Sequence, residues 1–460
     1  IDLDGTTAGD NTINLTVARI DGTGFANLTI NGTGLLDTFD DDLWIRARGF
    51  LAMNLDEGWA FGAGSQLSIF GDSQYPGPAE INGSELTFNG SIRFFGSNAH
   101  ARFNAPVILN PSADIALTTS DRLEFNNATT VLGGTFTQDQ FANIDFDGAT
   151  LVRGGTFQTF SNQHDDGCVN FRGPTQWFGS VTVDGIARQA GAASVIGASS
   201  IQADVFDMDG EFGSTSWSIG SALNITANRL DTTDVLDGFN GTMSIGGGVL
   251  AKLTVNITFP SNPSWSNLGD ISLSGDANLF FTRLAGSRFF QNGNLNISGK
   301  VNVTADTVFG NPSVNTFANA NAVLRLPGHT DVYPDARFLG SGTLHTSSAG
   351  GSISLSHGSN LASTGLINDG TLTLGYFPET AGRGTVARYT SSPTAIMVID
   401  IGGYTAGTRH DRLDTSAGPA HIAGELVVNL IDAGPGLFHP LVGDSFTIIT
   451  ARENVTGVFA

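Results

Sequence analysis

The 460-residue sequence has a single cysteine, Cys168, and one thiol excludes a framework of intrachain disulfides. Lysine occurs twice (Lys252 and Lys300), methionine four times and glutamate eight times. Straight-chain residues of this kind cover helix surfaces at little entropic cost, so their scarcity argues against helical layers. No apolar run approaches the 18 or more residues of a membrane-spanning helix; "AIMVIDI" (395–401) is among the longest. Basic residues are outnumbered 21 to 43, for a net charge of −22. That balance disfavours DNA, RNA and anionic membranes as partners. The chain opens at Ile1 with neither Met nor a signal-like segment, as expected of a processed or trimmed mature form.

What the chain has in abundance is turn and strand material. Glycine reaches 60 residues, and 35 of the 43 acidic residues are Asp, a residue of turns. The acidity therefore belongs on loops. The apolar set is Ile, Val, Leu and 32 Phe, which suit a pleated, half-buried surface. The composition predicts an all-β protein.

Internal repetition says which kind. "TTVLGGTFTQ" (129–138) returns as "TLVRGGTFQT" (150–159), 21 residues later. Short strands carrying Phe before a turn recur as "LTFNGSIRF" (86–94), "ARFNAPVIL" (101–109), "LEFNNATTV" (123–131), "IDFDGATLV" (144–152) and "VNFRGPTQW" (169–177). From Phe88 through Phe103, Phe125, Phe146 and Phe171 the steps are 15, 22, 21 and 25. Alternating polar and apolar segments continue as "KLTVNITF" (252–259), "LNISGKVNVTA" (295–305), "SISLS" (352–356) and "GTLTLG" (370–375), each with one face inward. A sandwich of hairpins and a stacked solenoid both use many short strands. Two-residue hairpin signals do not dominate, and a period near 20 is a coil length. The prediction is a parallel right-handed β-solenoid (β-helix) over residues 1–390, with coils of about 20–25 residues and irregular loops. From 391 to 460 the strands lengthen and become more apolar, as in "ELVVNLI" and "SFTIIT". This segment is expected to be a C-terminal β cap or small β-domain, since an open coil exposes core and strand edge.

"GSGTLHTS" (340–347), "STGLINDGTLTLG" (363–375) and the tail of about 396–451, running through "GGYTAGTRHDRL", "AGELVVNLI" and "VGDSFTIIT", resemble autotransporter passenger-like β-repeat proteins. Similar tails occur in secreted surface proteins of planctomycetes and other Gram-negative bacteria. The resemblance implies an extracellular β-solenoid with a structural or adhesive role, and it brings no catalytic residues with it.

Several stretches carry residues capable of chemistry. "HDDGC" gathers His164, Asp165, Asp166 and Cys168, but a Cys–His nucleophile is assembled by the fold, usually from distant positions, so a loop in a long coil is preferred. "RHDRLD" sets His410 between Arg409 and Asp411 with no serine elbow, and is read as a turn into a strand. Asp-x-Asp-Gly occurs at 2–5, 145–148 and 207–210, and "FDDDLW" at 39–44 is a further acidic loop. Calcium favours such oxygens, yet no twelve-residue loop with a closing Glu follows. Turn chemistry is preferred, with calcium the one cofactor considered and no metal ligand assigned. Trp44, Trp59, Trp177, Trp217 and Trp265 suit a core or turn better than a sugar platform. Asn-x-Ser/Thr appears twelve times, at Asn14, Asn27, Asn31, Asn82, Asn89, Asn127, Asn224, Asn240, Asn256, Asn296, Asn302 and Asn454. Alternation alone sets Asn and Thr two apart, and Asn ladders on stacked coils are expected ahead of glycosylation.

The sequence thus predicts a non-enzymatic extracellular structural protein, a subunit of a bacterial surface fibre, sheath or matrix. Its expected partner is itself, in a filament or surface array joined through its β-rich ends. The alternatives are a glycan-binding adhesin or phage-type receptor-binding β-helix, and a polysaccharide-cleaving β-helix.

Overall fold

In a computed structural model the backbone is described over residues 13–460. Segments left aside are 18–24, 31–36, 40–41, 48–49, 56–58, 72–76, 97, 119, 140, 159–167, 208–214, 232–237, 240–241, 246–251, 258–263, 268–269, 274–277, 282–287, 292–293, 304–305, 311–312, 348–349, 376–379 and 433–436. Side chains are described mainly over 59–225 and 291–460. Among the described residues all regular structure is strand, and the strands pair in parallel. The protein is a parallel β-solenoid. It divides into two units, residues 1–217 with 223–233, and 218–222 with 234–460.

In the first unit most coils contribute three short strands, with Thr150–Gln158 and Thr175–Gln189 running through corners as longer ones, and the strands pair with their counterparts in the next coil. Arg122–Phe125 lies between His100–Phe103 and Asn143–Phe146, with Phe103, Phe125 and Phe146 in register. Asn143–Phe146 in turn pairs with Cys168–Phe171, Phe146 facing Phe171. Alternation along a strand sends Leu123 and Phe125 inward, and in-register pairing stacks like on like. The rings of Phe103, Phe125, Phe146 and Phe171 form one column, with successive centroids 5.4, 5.0 and 5.1 Å apart. Each buried Phe contributes roughly 1.5–3 kcal/mol by transfer from water, and each stacked pair about 0.5–1.5 kcal/mol more. The repeated ten-residue stretch is explained in the same way. Thr135 pairs with Thr156 and Phe136 with Phe157, whose rings stack at 4.2 Å.

One sequence step needs correction. Phe88 does not precede Phe103 in its column; the residue in register with Phe103 is Ile81, 22 positions earlier. Phe88 belongs to another strand of the coil, in register with Phe61 and Leu109, and it meets Phe103 edge-on across the interior. The apparent step of 15 therefore joins two different walls of the coil.

Turns stack as tightly as strands. A Cβ on Gly148 would lie 2.1 Å from the carbonyl oxygen of Asn127, and one on Gly173 would lie 2.1 Å from that of Gly148. Only glycine permits this approach. At the turn before the Phe-column strand Asn98, Ser120 and Phe141 take the left-handed conformation at φ 57°, 64° and 65° on successive coils.

The second unit repeats the three-strand coil. One wall is a nine-stranded parallel sheet that includes Asp306–Phe309, His329–Val332, Ser352–Leu355, Thr371–Leu374, Ile396–Ile401 and Glu425–Leu430. The strands after residue 391 continue these ladders. Thr371 pairs with Ile396, Arg383 with Arg412 and Tyr389 with Ala420, all in parallel. The longer apolar strands of 391–460 are thus built as further coils on the same path.

Candidate functional site

The outer face of the first unit carries the densest polar cluster among the described residues. Positions that alternate with the buried Phe column point outward, and register sets them side by side: Glu80, Arg102, Glu124, Asp145, Asn170 and Arg188. A second outward row holds His100, Arg122 and Asn143. Acid and base alternate from Glu80 through Arg102 to Glu124; Asp145 then follows as a second acid, and Arg122 of the neighbouring row bridges the two. Arg102 donates to Glu124 and lies 3.7 Å from Glu80. Arg122 reaches Glu124 at 2.8 Å and Asp145 at 2.9 Å. Arg172 reaches the same Asp145 oxygen at 3.0 Å, while Asn170 donates to the other at 2.6 Å. The side chain of Asp145 is 1% exposed and that of Glu124 6%, each held by two guanidinium groups.

Burial alone would raise the Glu124 carboxyl, but hydrogen bonds from His100 and Arg102, with the charge of Arg122, outweigh it and hold the group down at about 2. Asp147, at the rim, is raised by burial and by the charge of Asp145. Glu124 is therefore a fixed anion at neutral pH and has no proton to deliver. Chemically the row is a set of interlocked ion pairs that ties each coil to the next. Sequence reading passed over Arg102, Arg122, Glu124 and Arg172. The signal was present in "ARF", "LEF", "IDF" and "VNF", where a polar residue directly precedes each column Phe.

The individually predicted motifs separate. Cys168 is buried at the start of its strand, with Sγ 3.3 Å from Asn170 Oδ1 and 3.7 Å from Arg188 Nη1. Burial pushes its thiol up, so it stays protonated and unreactive. His164, Asp165 and Asp166 lie outside the described residues, as does "DLDG" (2–5). In "DFDG", Asp145 is held by arginines and Asn170, and Gly148 is the stacking glycine. Asp207 of "DMDG" lies 3.8 Å from Arg188, and its three following residues are outside the description. Of "FDDDLW", Asp42, Leu43 and Trp44 lie on the strand Asp42–Ala47, whose side chains are not described, as are those of Trp265's strand. Among the described residues no group of three or more His, Cys, Asp and Glu converges as metal ligands do. Trp59, Trp177 and Trp217 fill the core. Asn ladders are found at the sequon positions Asn82 and Asn89: Asn104 donates to Asn82 at 2.9 Å, Asn126 to Asn104 at 2.8 Å, and Asn110 to Asn89 at 2.6 Å.

In the second unit the "RHDRLD" stretch closes a turn. Asp411 accepts the backbone N–H groups of Gly382 at 2.5 Å and Asp400 at 2.8 Å. Burial pushes its carboxyl up to about 7, those two bonds opposing and the nearby Asp400 charge adding to the rise. His410 is buried, its Nδ1 3.1 Å from the Gly403 carbonyl and its ring edge-on to Phe446. Arg409 is exposed. Asp414 is paired with Arg383 at 2.6 Å and Arg412 at 2.9 Å.

The nine-stranded wall of the same unit holds a third arrangement, which sequence reading did not find. His329 and Ser352 are register partners on adjacent coils, and Asp331 is two residues along from His329 on the same outward face. His329 Nδ1 lies 2.6 Å from Ser352 Oγ, and its Nε2 lies 3.1 Å from Asp331 Oδ1. Twenty-three residues separate His329 from Ser352, so only the coil length brings them together. No known family model matches the chain, and no curated protein matches it either.

Proposed function

We propose that the chain is a non-enzymatic extracellular structural protein, a subunit of a bacterial surface fibre, sheath or matrix that assembles through its β-rich ends. A β-solenoid is compatible with a structural or adhesive role. The observation that carries the reading is the coil formed by residues 425–457 of the second unit. Its strands Glu425–Leu430, Ile449–Ala451 and Val455–Gly457 pair with the preceding coil on one side. On and beside these strands Val428, Leu430, Val455 and Val458 are exposed. Exposed apolar side chains along parallel strands can seat a strand of another chain. Contact between unlike ends does not close, and so it builds filaments. The resemblance of the tail to secreted surface proteins supports the extracellular setting.

Electron microscopy and sedimentation across a concentration series, with calcium and without, test this. The native chain is expected to form filaments or growing assemblies, and paired Val428→Lys and Val455→Lys changes to abolish them. A chain that stays monomeric throughout overturns the proposal. The polar face of the first unit favours a second reading, a glycan-binding adhesin, because Arg and Asn donors stand there at a regular spacing. Retention on a glycan array that is lost in Arg172→Ala, without release of sugar products, would support that reading instead.

A further inference from the structure

We infer that Ser352 is a base-activated nucleophile that takes an acyl group from carboxylic esters. The geometry follows from the coil. In-register parallel pairing sets Ser352 about 4.8 Å from His329 across the ladder. Alternation returns Asp331 to the same face two residues further along the strand. An imidazole at position 329 therefore spans both neighbours: Nδ1 stands 2.6 Å from the serine hydroxyl and Nε2 stands 3.1 Å from the carboxylate. A carboxylate only accepts, so Nε2 carries the hydrogen and Nδ1 presents its lone pair to the Ser352 hydroxyl. Nucleophile, base and orienting acid are then connected in the order that acyl transfer requires.

Two other outward histidines of this unit provide an internal comparison. His345 has a carboxylate partner, Asp369 at 2.7 Å, but Ile367 occupies its register position on the next coil. His421 has a hydroxyl partner, Thr456, in register with it. His329 joins both kinds of partner.

In the step itself, Ser352 Oγ bonds to the ester carbonyl carbon while its proton passes to His329 Nδ1. The carbon–alkoxy bond then breaks, and the alcohol leaves with that proton. Backbone N–H groups flanking the serine are engaged: Gly351 donates to Ser347, Ser352 to Gly328 and Thr371 to Gly351. No free backbone donor pair stands beside Ser352 among the described residues, so both acylation and release are expected to be slow, and only an ester with a good leaving group acylates the serine faster than water frees it. This chemistry goes beyond the structural role and does not depend on it; it would fasten an ester-bearing molecule covalently to the outer wall.

Two probes test the inference on the full chain. Diisopropyl fluorophosphate at pH 8 forms an Oγ–P bond with loss of fluoride, and peptide mapping locates it. One adduct is expected, on Ser352, and p-nitrophenyl acetate is expected to release about one equivalent of nitrophenolate in a burst. His329→Gln should slow both by about 100-fold, Asp331→Asn by less, and Ser352→Ala should remove the adduct. All three side chains point outward, so the variants leave the core intact, which an unchanged circular dichroism spectrum verifies. Adducts spread evenly over Ser352, Ser354 and Thr371, or labelling of Ser352 that is indifferent to His329→Gln, would overturn the inference.

Discussion

Arg122 of one coil reaches Asp145 of the next at 2.9 Å, and it also touches Glu124 on its own strand at 2.8 Å. One guanidinium thus serves two carboxylates that register alone would leave as adjacent like charges. Asp145 is buried and Arg122 is 41% exposed, so the pair is asymmetric. Removing the arginine leaves Asp145 with Arg172 and Asn170, whereas removing the carboxylate leaves two arginines facing each other.

Asp145→Ala is accordingly expected to destabilise the first unit more than Arg122→Ala does. The loss of a buried, fully bonded acceptor costs about 2–4 kcal/mol. Urea titrations of the two variants and the double variant, analysed as a cycle, measure the order and the coupling. Equal effects of the two single changes would overturn the expected order, and a double variant equal to the sum of the singles would mean that the two residues are not coupled.

The Phe column makes a sharper prediction because it is fully buried. Phe146 stacks on Phe125 and Phe171 at once, at 5.0 and 5.1 Å. Phe146→Ala should cost about 3–5 kcal/mol, against less than about 1.5 kcal/mol for Phe146→Leu if the neighbours repack. In a stack where each coil touches its neighbours, the damage should be local. Hydrogen exchange is expected to speed up at Leu123–Phe125 and Val169–Phe171, with little change in the second unit.

How much of this was legible beforehand depends on which periodicity a residue obeys. The β class, the parallel stacking and the Phe125–Phe146–Phe171 column could be read, because a coil repeat prints like residues at like positions. The misplaced Phe88 shows the limit: a linear text does not say which wall of the coil a Phe belongs to. The change in texture at 391 was real in sequence, but Ile396–Ile401 pairs onto the preceding strand all the same. Longer apolar strands and a new domain look alike until pairing is known. The Arg122–Asp145 and His329–Ser352 contacts were hidden for another reason. Each joins residues 23 apart, and loops of variable length conceal such offsets.

Turn stacking gives a prediction that contacts alone would miss. Gly173 has an ordinary place in a loop, yet a Cβ there would meet the Gly148 carbonyl oxygen at 2.1 Å. Both partners are backbone, so neither can move aside cheaply. Gly173→Ala is expected to lower the melting temperature markedly, while Gly64→Ala, with open space around it, should have little effect. Thermal melts of the two side by side decide the matter, and equal behaviour would refute the close approach.

Finally, two carboxylates set opposite pH limits. Glu124 falls from 4.5 to about 2 on folding, so its contribution is fully present above about 4.5 and is lost as pH drops toward 2. Asp411 rises from 3.8 to about 7. A raised carboxyl favours the folded state while it is protonated, so its contribution is fully present below about 3.8 and disappears as pH climbs through 7. The two windows do not overlap, and the sum of the two contributions is expected to peak at about pH 4, where the gain from Glu124 and the loss from Asp411 cancel, falling on both sides. Asp411→Asn should flatten the alkaline limb between pH 5 and 8, because an amide does not titrate there. Glu124→Gln should flatten the acid limb and leave the other unchanged. Melting temperatures of the three proteins across pH 3–8 provide the check. If Asp411→Asn keeps the native slope above pH 5, the buried Asp411 carboxyl is ionised in the fold throughout that range, and the loss of stability toward alkali has another source.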